Sequence, residues 1–143
     1  MDEEIKELFI LIIQTKKHNI PIPILTILRK KLQSYGEIAL KALKRYITMP
    51  NTPFFDFSAI MGLIYDEKRK ELNIDDAQTA WGKLGGKLGA YQIMPKFNPV
   101  LTKTINGVGG WYYLGHSSNK VADRANFYKT YDHYLNEYIT ETL

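Results

Sequence analysis

The chain has 143 residues, enough for one domain or two small subdomains, and 45% of them are hydrophobic, so it can bury a sizeable core. It has no cysteine, which excludes disulfides, thiolate metal sites and cysteine nucleophiles, and its 24% of charged residues is ordinary for a globular protein and leaves disorder only to the ends. The net charge of +4 is unevenly spread: residues 1–70 carry twelve Lys+Arg against eight Asp+Glu, residues 71–143 seven of each, which places any attraction to polyanions in the first half.

Asp2 to Lys17 reads as a helix, acidic in its first turn and basic in its last, as the helix dipole favours. Ile5, Leu8, Phe9, Ile12 and Ile13 follow helical spacing. The apolar run Leu8 to Ile13 is too short to span a bilayer, and acidic rather than basic residues precede it, so neither a membrane span nor a secretory signal is expected and the location implied is cytoplasmic. Asn19, Pro21 and Pro23 punctuate a turn. A second helix is predicted from about Pro23 to Tyr35 with a stripe of Ile24, Leu25, Leu28 and Leu32, stopped at Ser34-Tyr35-Gly36. The third, Glu37 to Thr48, has an apolar side (Ile38, Leu40, Ala42, Leu43, Tyr46, Ile47) and a basic one (Lys41, Lys44, Arg45).

Prolines at positions 50 and 53 make Met49 to Pro53 a loop. A fourth helix follows from Asp56 or Phe57 to Leu72, with Ile60, Met61, Ile64 and Leu72 inward and the charge run Asp66 to Glu71 facing solvent. Asp75 or Asp76 is expected to cap a fifth helix reaching about Tyr91. That helix carries Gly82, Gly85, Gly86 and Gly89, each costing about 1 kcal/mol relative to alanine, so either its neighbours approach closely or it is broken or partly mobile. Pro95 and Pro99 bracket a loop containing Phe97. Val100 to Val108 is a short helix ended by Gly109-Gly110, Trp111 to Leu114 one helical turn, and Asn119 to Tyr138 a last helix striped by Val121, Ala125, Tyr128, Tyr131, Leu135 and Tyr138. No segment shows strand alternation. The fold class expected is all-α: two helical subdomains, 1–72 and 73–143, forming an irregular bundle.

Little in the chain points to chemistry. His18, His116 and His133 have no metal-ligand spacing and read as polar residues at helix ends or on exposed faces. The carboxylate pairs Glu3/Glu4, Asp66/Glu67 and Asp75/Asp76 are sequence neighbours that diverge by about 100° on a helix, which suits capping and solvation better than acid–base work. Gly85-Gly86-Lys87 is followed by Leu88 and no strand precedes it, so it lacks the phosphate-loop pattern. No catalytic residue, cofactor or metal ligand is assigned. Arg29, Lys30, Lys31, Lys41, Lys44 and Arg45 are the candidate nucleic-acid contacts: if helices two and three form a hairpin around Gly36, these six could share a surface that meets phosphates without reading sequence, the alternative being a solvated face. The ten tyrosines are assigned to core or interface ahead of base stacking.

The second half contains, in order, Ala80-Trp81, Gly89-Ala90-Tyr91, Pro95-Lys96-Phe97-Asn98-Pro99, Gly109-Gly110-Trp111, Leu114, Arg124, Phe127 and Tyr131. This order resembles a small helical domain of phage-encoded replication proteins, with a shortened loop where that pattern has PxFxDP. The first half has Ile20-Pro21, Leu25, Leu28-Arg29-Lys30, Leu32, Tyr35-Gly36 and then Phe55 and Ala59-Ile60. It resembles the helical N-terminal domain of phage helicase loader or inhibitor proteins. The resemblance implies a non-enzymatic replication accessory protein that binds the replicative helicase or another replication protein and admits contact with single- or double-stranded DNA. The competing readings are a DNA-binding module using the six basic residues and a phage inhibitor of a host or defence protein. Within the signature, Trp111 is expected to anchor a small core with Trp81, Tyr91, Phe97 and Phe127, with Gly109 and Gly110 letting the backbone approach it.

Overall fold

The computed structural model describes residues 2–50 and 55–143; the middle of the expected loop, Asn51 to Pro53, lies outside the described residues. Among the described residues the chain is all-helical. The helices are α1 (Asp2–Lys16), α2 (Ile22–Gln33), α3 (Glu37–Thr48), α4 (Phe57–Glu71), α5 (Ala77–Gly85), α6 (Pro99–Gly107), α7 (Trp111–His116) and α8 (Lys120–Thr142). The chain divides into two compact units, Met1–Lys68 and Arg69–Leu143, the division falling in the last turn of α4 rather than at Asn73.

In the first unit, α1 is the helix against which both α2 and α3 pack. Its spacing dictates this: Ile5, Phe9 and Ile12, at steps of four and three, are fully buried, and Phe9→Ala would cost about 3–5 kcal/mol. They meet Leu32, then Ala39, Leu40, Ala42, Leu43 and Tyr46 of α3, and Ile60 and Ile64 of α4. Helix α1 stops where Lys17 turns left-handed (φ 54°), two residues before Asn19. Lys16, in the last turn, is buried: its Nζ donates to the Met49 carbonyl at 2.6 Å and lies 5.1 Å from the centre of the Tyr46 ring. This ties the end of α1 to the end of α3.

Two expectations for this unit change. The stripe of α2 is thinner than its spacing predicts, since Leu32 is buried and Leu25 and Leu28 partly so, while Ile24 stands out. The charge run of α4 does not simply face solvent: Asp66 and Glu67 are half-buried beneath Arg45.

In the second unit, capping sets the helix starts. Asp76 Oδ1 accepts from the Thr79 amide at 2.8 Å, Asn98 Oδ1 from the Leu101 amide at 2.9 Å with Pro99 in the first turn, and Asn119 Oδ1 from the Ala122 amide at 3.2 Å. Helix α5 ends at Gly85, well short of Tyr91. A Cβ at Gly82, inside the helix, or at Gly85, its last residue, would meet nothing within 4 Å, so neither glycine admits a close neighbour. Helix α8 packs against α5 and α6. Its buried line is Asp123, Phe127, Tyr131, Leu135 and Ile139, which keeps Tyr131 and Leu135 of the predicted stripe; Val121 and Ala125 are exposed, and Tyr128 and Tyr138 only partly covered. Tyrosine and alanine suit either side of a helix, and the fully apolar Phe127 and Ile139 decide which side turns inward.

Candidate functional site

The six basic candidates are dispersed by their partners. Arg29 Nη2 pairs with Asp2 Oδ2 at 2.9 Å. Arg45 Nη1 reaches Asp66 Oδ2 and Glu67 Oε1, each at 2.8 Å, and the hydrogen bond to Asp66 is the main influence holding its proton more firmly than usual. Lys31 Nζ lies 5.5 Å from the centre of the Phe57 ring. Lys30, Lys41 and Lys44 are exposed. Helices α2 and α3 each pack on α1, so the expected hairpin surface gathering all six is not built by their mutual packing. Both arginines are committed to carboxylates of their own unit, which reduces what this face offers a phosphate.

The same unit carries exposed apolar side chains on α2: Ile24 and Ile27, about 60° apart around the helix, are 49% and 66% exposed, and Ile22, 77% exposed, points to another side.

In the second unit the signature residues separate into two groups instead of one core. Trp81, Phe127 and Tyr131 pack together, with ring centres 5.1 Å apart for Trp81–Phe127 and 5.6 Å for Phe127–Tyr131. Phe97 and Trp111 pair at 5.9 Å, and Trp111 Nε1 donates to the Tyr91 carbonyl at 2.9 Å. The Tyr91 side chain is exposed, outside any core. Gly109 and Gly110 both have positive φ (118° and 97°). The close approach at Gly109 is made by the Tyr113 ring, whose Cδ1 would lie 2.6 Å from a Cβ there, and not by Trp111.

Around this second group lies a cleft of about 430 Å³, lined by Gly89, Tyr91, Gln92, Trp111, Tyr112, Gly115 and His116. Tyr112 and His116, one turn apart on α7, stack with ring centres 3.9 Å apart and planes 22° off parallel. The His116 Nδ1–H donates to the Tyr112 carbonyl at 2.9 Å, so that in the neutral tautomer compatible with this bond Nε2 is an acceptor. Tyr112 is 75% exposed. Gly115 also borders a second cleft, lined by Trp81, Gly85, Leu88 and Lys120. Lys87 Nζ sits 5.2 Å from the centre of the Phe97 ring, on the group that carries Trp111.

Charge distribution sets this region apart. From Ala77 to Ala122 the chain contains no Asp or Glu, while Lys83, Lys87, Lys96, Lys103 and Lys120 all fall within it. The balanced totals of the second half conceal this, because its acids lie on either side of the segment; a sliding charge count would have found it. Lys83 is paired with Asp75 at 3.0 Å, and the Lys120 ammonium donates to the Leu114 carbonyl.

The remaining candidates of the sequence find plainer places. The amides of Lys87 and Leu88 both donate to the Leu84 carbonyl, at 2.9 and 3.0 Å, so they close the end of α5 and are not turned toward a phosphate. His18 lies just past the end of α1, one of its two expected places, but is buried; its Nε2 lies 3.4 Å from the Tyr46 hydroxyl, which accepts from the Asp56 amide at 3.1 Å. Burial, then the charge of Lys16, lowers the His18 pKa. His133 is exposed beside Glu137 at 3.2 Å. Among the described residues no three His, Asp or Glu side chains converge as a metal site, and no helix is long and apolar enough to cross a membrane. No family model, curated protein or solved structure matches the chain.

Proposed function

We propose that this chain is a non-enzymatic accessory protein of a phage-type DNA-replication system, which docks on the replicative helicase through the outer side of α2 and so loads or restrains it. The observation that supports this reading is the pair of exposed isoleucines Ile24 and Ile27, neighbours on one side of a helix that is held to its unit by Leu32 and Arg29. Exposed apolar side chains grouped on one helix suit insertion into a partner's groove, where they leave water on binding. The resemblance of Ile20-Pro21 through Tyr35-Gly36 to helicase loader or inhibitor proteins supplies the identity of the partner. Surface plasmon resonance of the full chain over immobilised replicative helicase tests it. Micromolar or tighter binding is expected, weakened at least about tenfold by Ile24→Ser with Ile27→Ser, since each buried aliphatic side chain contributes roughly 1.5–3 kcal/mol. No binding of the unaltered chain at micromolar concentration would remove the reading.

A further inference from the structure

We propose that the aromatic cleft of the second unit binds an unpaired base of single-stranded nucleic acid, which stacks at Tyr112 and His116 while nearby lysines meet the flanking phosphates. The inference goes beyond the helicase reading and does not rest on it, because it concerns a different unit and a different ligand. Three observations converge. The cleft of about 430 Å³ offers flat surfaces: Tyr112 stacked on His116, with Tyr91 and Trp111 along the wall. Its edge carries hydrogen-bonding groups suited to a base, the Gln92 amide and the His116 Nε2 acceptor. Its lining residues all come from the segment Ala77 to Ala122, which holds five lysines and no acid.

Charge decides between a nucleic acid and a peptide. An aromatic cleft alone would receive a proline or an aromatic side chain equally well. A polyanion is favoured because Lys87 sits on Phe97 beside Trp111, Lys120 lines the cleft that adjoins at Gly115, and Lys96 is exposed on the intervening loop. Two acids flank the segment with partners of their own: Asp75, which lines a cleft with Lys87 and Phe97, is paired with Lys83, and the buried Asp123 accepts from the Tyr113 hydroxyl. Stacking tolerates any base, and lysines read no sequence, so the expected preference is for single strands over duplex, with little base specificity.

Fluorescence anisotropy of a labelled oligothymidylate of about twelve nucleotides, titrated with the full chain, tests the proposal. Binding at roughly 50 mM salt, weakening steeply by roughly 200 mM, is expected. Tyr112→Ala should weaken it about tenfold, as should replacing the bases by abasic sites. Lys87→Ala with Lys96→Ala should lower the slope of log affinity against log salt by about 0.7 for each phosphate contact removed. Because Tyr112 is largely exposed, its replacement leaves the fold intact, which circular dichroism checks. Absence of binding at low salt overturns the proposal and leaves the cleft to a peptide. So does equal affinity for the Tyr112→Ala variant or for the abasic strand. Loss of binding on Lys41→Ala with Lys44→Ala would instead place the strand on the first unit, against the proposal.

Discussion

The hydroxyl of Tyr131 donates a hydrogen bond to the backbone carbonyl of Asp75 at 2.6 Å, joining the middle of α8 to the residue before the cap of α5. The ring itself is fully buried. Tyr131→Phe keeps the ring and removes the bond, leaving the carbonyl without that donor, and should destabilise the second unit by about 1–2 kcal/mol. Urea unfolding followed by the fluorescence of Trp81, which packs on Phe127 beside it, would measure this. Burial first, and the charge of Asp75 second, push the Tyr131 pKa up to about 12. Its ordinary value is 10.0, so the neutral phenol's contribution is whole below about pH 10 and is lost as pH rises toward 12. The Phe variant should lack that alkaline loss.

Glycine replacements should act with opposite signs at two positions. At Gly109 the backbone has φ 118° and a Cβ would strike the Tyr113 ring at 2.6 Å, so Gly109→Ala should destabilise by about 2 kcal/mol or more. At Gly82, inside α5, a Cβ meets open space, and Gly82→Ala should stabilise by about 0.5–1 kcal/mol. Thermal melts of both variants beside the parent would settle the pair; a loss at Gly82 would mean that its open side is used.

Acid should weaken the first unit through His18. Its folded pKa lies below the ordinary 6.5, so the unfolded chain takes up the proton more readily. The neutral ring's contribution is therefore complete above about pH 6.5 and is lost as pH falls through the window beneath it. The urea midpoint of the first unit should be lower near pH 5 than near pH 7.5, and His18→Gln should flatten that difference. An identical pH dependence in the variant would assign the effect to other groups.

Lys16 should matter through its head group as well as its stem. Lys16→Met preserves the apolar stem over Tyr46 but leaves the Met49 carbonyl without its donor, at an expected cost of about 1–2 kcal/mol. By contrast, Ile24→Ser with Ile27→Ser should change stability by no more than about 1 kcal/mol, since both side chains stand in solvent. Urea titrations of the two variants separate an anchor from a free surface.

Much of the fold is readable from spacing. Ile5, Phe9 and Ile12 identify α1 and its buried side, and Asp76, Asn98 and Asn119 are polar caps next to the helices they start. What eludes sequence is where an ambivalent side chain turns. Tyr91 and Trp111 read as core because they are aromatic, yet they edge a cleft, since the run Lys87 to Asn98 forms no helix that could cover them. The pairing of Arg45 with Asp66 and Glu67 links residues about twenty positions apart, and only the packing of α3 near α4 brings them together. Lys16 looks like a terminal solvated charge, and its burial depends on where α3 ends.

The four-residue steps from Phe127 to Tyr131, Leu135 and Ile139 do not match the 3.6-residue turn of a helix, so the inward-facing line creeps around α8 by about 40° at each step. Its early part meets Trp81 of α5, while farther along Thr130 and Tyr134 lie against Gly107 of α6. One rod thus serves two neighbours in succession, like a diagonal brace. Cutting it back from its far end would uncover α6 while α5 kept its partner, and a single-residue insertion near Ala125 would swing every later contact away by about 100°.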